Sequence, residues 1–132
     1  LIEGRLKNND GTIDKPLGRC KKDRLKIGII EDGKRAVTHY EVVERYNGYT
    51  LVKCVLETGR THQIRVHMAS IGFPLVGDPL YGFKRQKFKL EGQVLHARTL
   101  GFIHPRTGEY MEFTSELPQY FCDLINKLKN EM

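Results

Sequence analysis

The stretch GRTHQIRVHMASIGFPLVGDPLYG, residues 59–82, places an arginine inside an otherwise apolar helical pattern. Apolar residues repeat at i, i+4 and i+7 from Ile64, which predicts a helix over residues 61–72. Arg65 lies on the adjoining stripe of small residues, where another backbone or a ligand can approach closely. A partly desolvated guanidinium there needs a carboxylate or phosphate partner. The pattern leaves two interpretations open, an anion-binding functional site and a structural ion pair at the edge of the core.

The first turn of this predicted helix carries polar residues that suit phosphate binding. Arg60, Thr61, His62 and Gln63 lie where backbone N–H groups are unpaired and the helix dipole is positive. Ordinary helix capping explains the same residues equally well, with Thr61 as the N-cap and Gly72 as the stop. Both interpretations stay open at this point.

Metal and cofactor chemistry are not indicated by the sequence. His62 and His67 are five positions apart, which separates them by roughly 140° around a helix, so they do not converge on one ion. Cys20, Cys54 and Cys122 form no C-x-x-C pair and are interpreted as reduced thiols. We therefore expect neither a metal site nor a bound cofactor.

The net charge of +6 is concentrated in two segments. Residues 1–36 hold ten basic against six acidic residues, and residues 58–89 hold six against one. A basic face built from two separated segments suits a polyanion such as nucleic acid, although a merely solvated basic surface is an equal alternative. The candidate phosphate contacts are Lys21, Lys22, Arg24, Lys84, Arg85 and Lys87.

The remaining pattern predicts an α+β fold with a mixed, mainly antiparallel sheet and flanking helices. Residues 36–46 and 49–57 read as strands around the hairpin signal Asn47-Gly48, and residues 94–104 and 110–115 read as a second hairpin. A terminal helix begins after Pro118. The chain length of 132 residues fits a single domain, 1–132. The absence of any long apolar window argues against a membrane protein and favours the cytoplasm.

Four blocks of the sequence, in order, resemble the RluA-type RNA pseudouridine synthase family. They are GTIDKPLGR with KDR, AVTHYEVVERY, LETGRTHQIRVHMASIGFPLVGDPLYG, and LHARTLGFIHPRTGEYMEFTSELP. The resemblance covers nearly the whole chain. It implies the C-terminal portion of the pseudouridine synthase catalytic fold, with the N-terminal part of that fold missing.

The resemblance also implies roles for individual residues. Family members use an essential nucleophilic aspartate, in an H-R-L-D-like segment that this chain does not contain, and a motif arginine that pairs with it. By this match the arginine is Arg65, which is expected to await a carboxylate from outside the chain. Leu95 falls in a block that contributes apolar contact near the base, although a plain core residue is an equal alternative. Asp78 is interpreted as a turn or structural residue, and Tyr81 and His96 as structural residues.

The expected function is therefore isomerisation of uridine to pseudouridine in structured RNA, without cofactor or metal. Large-subunit ribosomal RNA is the expected substrate and transfer RNA the alternative. The chain alone is expected to be inactive. A non-catalytic RNA-binding module or degenerate paralogue is the rival interpretation. We also expect dimerisation, or a complementary fragment, at an exposed sheet edge.

Overall fold

The computed structural model describes residues 1–23 and 25–131, which form two compact units, residues 1–94 and 95–131. Strands and helices follow one another as β1 (Ile2–Glu3), β2 (Asp10–Asp14), β3 (Leu17–Arg19), β4 (Ile27–Ile29), β5 (Val37–Tyr46), β6 (Tyr49–Leu56), α1 (Gln63–Ser70), β7 (Thr99–Ile103), β8 (Tyr110–Thr114) and α2 (Gln119–Asn130). Every strand pairing in these residues is antiparallel. The predicted α+β class with a mainly antiparallel sheet is confirmed.

A four-stranded sheet in the order β1-β6-β5-β2 forms the centre of the first unit. Its long β5–β6 hairpin turns at Asn47-Gly48, where Gly48 adopts a φ of 82°. A left-handed conformation at this position is what a tight hairpin turn requires, so the sequence signal predicted the turn correctly. The short strands β3 and β4 form a separate hairpin beside this sheet.

Helix α1 joins the sheet to the β3–β4 hairpin because it presents apolar residues in two directions. Met68 is fully buried in a cluster with Ile2, Leu6, Ile13 and Leu75, against which the predicted stripe residues Ile64 and Ile71 also pack. Val66 is buried in a second cluster with Leu17, Ile27 and Ala36, and Tyr81 packs against that cluster. Arg65 lies between these two contact directions, at the edge of the core.

The predicted end of α1 at Gly72 is correct, whereas its predicted N-cap is wrong. At its C-terminus Gly72 has a φ of 88°, and the N–H groups of Gly72 and Phe73 donate to the carbonyls of Ala69 and Met68. This is the Schellman ending expected of a glycine just beyond a helix. At its N-terminus the helix starts at Gln63, and the cap is His62 with no side-chain hydrogen bond, so the prediction of a Thr61 N-cap is wrong.

The second unit contains the β7–β8 hairpin and helix α2. In α2 the residues Phe121, Leu124 and Leu128 are buried, as their helical spacing predicts. Neither helix in the described residues has the length and apolarity needed to cross a membrane.

Candidate functional site

Arg65 is held by Asp78 through two parallel hydrogen bonds. Its Nε donates to Oδ2 of Asp78 at 2.8 Å and its Nη2 donates to Oδ1 at 2.8 Å. The Asp78 side chain is fully buried, and the Arg65 side chain is 11% exposed. A bidentate pair of this kind fixes the plane of the guanidinium as well as its position.

The turn after α1 brings Asp78 to this place. Oδ1 of Asp78 also accepts the backbone N–H groups of Leu80 at 2.9 Å and Tyr81 at 3.1 Å, so the carboxylate organises its own turn. The turn closes where the N–H of Gly82 donates to the Asp78 carbonyl. A Cβ at Gly82 would lie 2.4 Å from that carbonyl oxygen, which explains why a glycine is needed there. The interpretation of Asp78 as a turn residue is confirmed.

The prediction that Arg65 would lack a carboxylate partner within this chain is wrong. Thirteen positions separate Arg65 from Asp78 in sequence, and the connecting segment leaves the helix at Gly72 and turns back on it. Burial alone would raise the pKa of Asp78, but hydrogen bonds from Arg65 and from two backbone N–H groups hold it below its usual value. Donation of these hydrogen bonds to Asp78 is the main reason that the pKa of Arg65 is raised.

One edge of the Arg65 guanidinium is left over after Asp78 is bound. Asp78 uses the Nε–H and one Nη2–H, so both hydrogens of Nη1 and the other Nη2–H remain. Across residues 1–23 and 25–131, no fully buried side-chain nitrogen or oxygen lacks a hydrogen-bond partner. Since no residue in those ranges accepts a hydrogen bond from Nη1, this atom must reach the surface. The remaining edge has the fork geometry that binds a second carboxylate or a phosphate.

Tyr81 and His62 complete the surroundings of Arg65. The Arg65 Cζ lies 5.0 Å from the centroid of the Tyr81 ring, a cation–π contact. The Tyr81 hydroxyl is 2.7 Å from Nδ1 of His62 and accepts the N–H of Ile27 at 2.8 Å. Burial and then the positive charge of Arg65 lower the pKa of His62, which favours the neutral ring. The structural interpretation of Tyr81 thus fits, but its contact with Arg65 was not predicted.

Gln63 does not face a ligand, so its assignment as an RNA contact is wrong. It is 3% exposed, and its Oε1 accepts the Thr58 hydroxyl at 2.7 Å and the Arg60 N–H at 3.0 Å. Its Nε2 donates to the carbonyl of Val37 and the hydroxyl of Thr38, both at 3.0 Å. The side chain ties the start of α1 to β5 because the helix begins at this residue and directs it inward.

The other residues of the predicted first turn have different environments. Thr61 is exposed, and His62 is partly buried with a φ of 56°. Arg60 is exposed, and its Nε donates to the carbonyl of Arg35 at 2.9 Å. His62 is therefore the member of this group that is linked to Arg65, because both side chains contact Tyr81.

The predicted phosphate contacts lie on two loops that lead to Tyr81. Lys21 and Lys22 are exposed in the β3–β4 connection, whose strand β4 is bonded to Tyr81 at Ile27. Lys84, Arg85 and Lys87 are exposed on the segment that follows the Asp78–Gly82 turn, and Nζ of Lys87 lies 5.4 Å from the Phe88 ring centroid. Arg24 lies outside the described residues. The two basic segments therefore both connect to the Arg65 site.

Leu95, the predicted base-pocket residue, belongs to the second unit and is 37% exposed. Its role stays a prediction. In the described part of the chain no group of histidine, cysteine, aspartate and glutamate side chains could hold a metal ion.

Comparison with known proteins identifies the family of the chain. Residues 4–70, just over half of it, match the family described as RNA pseudouridylate synthase. The uncharacterized RNA pseudouridine synthase YlyB of Bacillus subtilis is 57% identical over 129 residues, which cover 98% of this chain and 42% of that protein. The ribosomal large subunit pseudouridine synthase D of Zymomonas mobilis is 48% identical over 118 residues, covering 83% of this chain and 37% of that protein.

A solved structure agrees with these sequence matches. Human RNA Pseudouridylate Synthase Domain Containing 1 superimposes with a TM-score of 0.72 at 28% identity, over 97% of this chain and 62% of the human one. The chain spans about two fifths of the length of the curated relatives it matches. It belongs to the RNA pseudouridylate synthase family.

Proposed function

We propose that the protein containing this chain isomerises uridine to pseudouridine in structured RNA, with large-subunit ribosomal RNA as its substrate. Several relatives at 42–48% identity carry the name ribosomal large subunit pseudouridine synthase D, which supports the choice of RNA. In this reaction the N1–C1′ glycosidic bond breaks, a C5–C1′ bond forms, the hydrogen on C5 leaves as a proton, and N1 takes up a proton. The target base must leave its stack to be reached.

The observation that carries the proposal is the two-sided arrangement around Arg65. Asp78 fixes one edge of the guanidinium, and the other edge, with Nη1, reaches the surface. The family's nucleophilic aspartate, from a segment outside these 132 residues, would bind that second edge. Such a bond would keep the carboxylate ionised and oriented toward the sugar carbon. The expected external carboxylate is thus kept, and Asp78 is a second carboxylate on the same guanidinium.

The exposed basic residues would hold the RNA backbone while the base is presented to the site. Lys21, Lys22, Lys84, Arg85 and Lys87 are candidates for phosphate contacts, with Arg60, Thr61 and His62 nearer the target nucleotide. Such contacts position an RNA without reading its sequence. Leu95 would supply an apolar contact to the base.

The two described units would both belong to the C-terminal portion of one catalytic domain that works in the cytoplasm. The outer strand β2 of the four-stranded sheet is where a complementary segment or a second copy would add, because the outer edge of β1 is already hydrogen-bonded to residues 74–76. Light scattering of the isolated 132-residue chain checks the association. A monodisperse 15.3 kDa particle would contradict it.

Release of tritium from RNA labelled at C5 of uridine tests the proposed reaction directly. The substrates are ribosomal and transfer RNA from a strain in which the gene for this protein is deleted, and the enzyme is the full-length protein. We expect release from large-subunit ribosomal RNA, and a pseudouridine at one defined position. Tight RNA binding without any release would instead identify a non-catalytic RNA-binding module.

A further inference from the structure

Tyr81 contacts Arg65 with its ring, Asp78 with its backbone N–H and Ile27 with its hydroxyl. Its ring lies against the Arg65 guanidinium, at 5.0 Å from Cζ to the ring centroid. Its backbone N–H donates to Oδ1 of Asp78, the atom that also accepts Nη2 of Arg65. Its hydroxyl accepts the N–H of Ile27 at 2.8 Å. The proposed chemistry at the external carboxylate uses none of these contacts directly.

The hydroxyl contact leads to a loop that is suited to phosphate binding. Ile27 begins β4, and the connection from β3 is closed at its base where the N–H of Cys20 donates to the Lys26 carbonyl at 3.0 Å. This connection carries the exposed Lys21 and Lys22. A displacement of the loop by bound phosphates would therefore be transmitted to Ile27 over a short, hydrogen-bonded path.

Packing prevents the tyrosine from adjusting independently of that hairpin. Tyr81 packs against the buried cluster that contains Leu17, Ile27 and Val66, so its ring is held by the hairpin and by α1 together. The hydroxyl also meets Nδ1 of His62 at 2.7 Å, with the two rings nearly perpendicular. With a neutral His62 the hydroxyl can accept from Ile27 and donate to Nδ1 at the same time, which fixes its rotation.

We propose that Tyr81 is a positioning residue that couples RNA contact at the Lys21–Lys22 loop to the orientation of the Arg65 guanidinium. When phosphates hold the loop, the hydroxyl bond to Ile27 holds the tyrosine, and the ring and N–H of the tyrosine hold Arg65 and Asp78. Seated RNA then further restrains the free edge of Arg65, whose orientation these contacts already set. This inference rests on the proposed function.

A double-mutant cycle in the full-length protein tests the coupling. The variants are Tyr81→Phe, which keeps the ring and the N–H, the pair Lys21→Gln with Lys22→Gln, and their combination. The rate of pseudouridine formation is measured in a single turnover with saturating enzyme, so weaker RNA binding does not enter the rate. Kd for RNA and the unfolding midpoint are measured for each variant.

We expect Tyr81→Phe to lower the saturating rate by about tenfold, with Kd for RNA changed by less than about twofold. The lysine pair should lower the same rate in the wild-type background but have little further effect beside Tyr81→Phe. The matched control is Lys84→Gln with Arg85→Gln, whose segment makes no bond to the Tyr81 hydroxyl; its effect should multiply with that of Tyr81→Phe.

Independent effects of Tyr81→Phe and the lysine pair on the rate would overturn the coupling, and so would equal coupling to the control pair. If Tyr81→Phe lowers the unfolding midpoint too far for assay, the lysine pair alone decides, because an unchanged saturating rate would refute the inference. A wild-type protein that forms no pseudouridine would overturn the proposed function as well. An active wild type with independent effects overturns the coupling alone.

Discussion

Replacing Asp78 by asparagine removes the charge that holds Arg65 while keeping the shape of the turn. The asparagine Oδ1 can still accept the N–H groups of Leu80 and Tyr81, which Asp78 now accepts at 2.9 and 3.1 Å. Its amide nitrogen would replace Oδ2 and face the Nε–H of Arg65, so one donor would oppose another, while Oδ1 could still accept from Nη2. The variant thus leaves a guanidinium that is only 11% exposed without the negative charge that compensates its burial.

The expected cost follows from this burial. Removing one partner of a buried ion pair costs about 3–5 kcal/mol, and the lower figure applies here because the second edge of Arg65 reaches the surface. A loss of about 3 kcal/mol is a large share of the 5–15 kcal/mol that stabilises a typical domain. For a domain of this size it corresponds to a fall in Tm of roughly 10 °C.

Denaturant unfolding of the full-length protein, followed by circular dichroism, measures this change. The control is Glu57→Gln, which removes a carboxylate that forms two exposed pairs, with Arg35 at 3.5 Å between Nη2 and Oε1 and with His39 at 2.6 Å between Nε2 and Oε2. An exposed pair contributes little, so this variant should unfold at the wild-type midpoint.

The Asp78 carboxylate also predicts that the wild-type protein loses stability in acid. Because the pKa of Asp78 is lowered by folding, its stabilisation is complete above the ordinary value of 3.8 and is lost as the pH falls below it. In the Asp78→Asn variant the unfolding midpoint should depend less on pH in this acidic range.

A second substitution, Arg65→Met, completes the cycle. The double variant leaves neither charge buried, and its unfolding midpoint should therefore exceed that expected from adding the two single losses. It should still be inactive, which separates stability from catalysis. An Asp78→Asn variant that unfolds at the same midpoint as Glu57→Gln would refute the reasoning.

Three further results are expected. Lys84→Gln with Arg85→Gln should weaken binding to every RNA sequence and reduce the slope of log Kd against log salt by about 1.5, measured by filter binding at several salt concentrations; an unchanged slope would show that neither residue contacts phosphate. Burial lowers the pKa of His67, so unfolding midpoints should fall as the pH drops below the ordinary value of 6.5, and His67→Gln should reduce this fall; a wild-type midpoint that is flat between pH 8 and 5 would contradict it. Gly82→Ala places a Cβ 2.4 Å from the carbonyl oxygen that opens its turn and should lower both Tm and activity, whereas Gly59→Ala, with open space around it, should change Tm little; equal effects would contradict the turn geometry.

Local signals in the sequence predicted the elements that carry the site. Asn47-Gly48 specifies its hairpin because the turn needs a left-handed residue, and Gly72 ends α1 for the same reason. The apolar spacing from Ile64 predicted the face of α1 that packs on the sheet. In each case the deciding interaction lies within a few residues of the pattern, so sequence reasoning could find it.

The errors concern interactions between distant residues. Thr61 is a favourable cap by type, yet His62 takes the cap position with a φ of 56° because its ring is held by Tyr81, nineteen positions away. Gln63 is polar and was predicted to face a ligand, but hydrogen bonds from α1 to Thr38 and Val37 of β5 draw its side chain inward. Nothing in the local spacing of either residue contains that information.

The pairing of Arg65 with Asp78 shows the same limit within the site. The requirement for a carboxylate could be predicted from one guanidinium on a stripe of small residues beside an apolar helix face. Its source could not, because it depends on how the chain folds back after Gly72. The sequence did contain one signal, the Gly-Asp-Pro turn that follows the helix. Its aspartate is flanked by turn residues, which favour a chain that folds back toward that helix.

The central claim is that the second edge of the Arg65 guanidinium orients a catalytic carboxylate. Its most direct test is the single-turnover rate of tritium release by full-length Arg65→Lys, measured with saturating enzyme and compared with wild type. A lysine can pair with Asp78 but has no second fork, so we predict a fall of about 100-fold or more in the rate, with Kd for RNA unchanged within about twofold. A rate close to that of the wild-type protein would contradict the account.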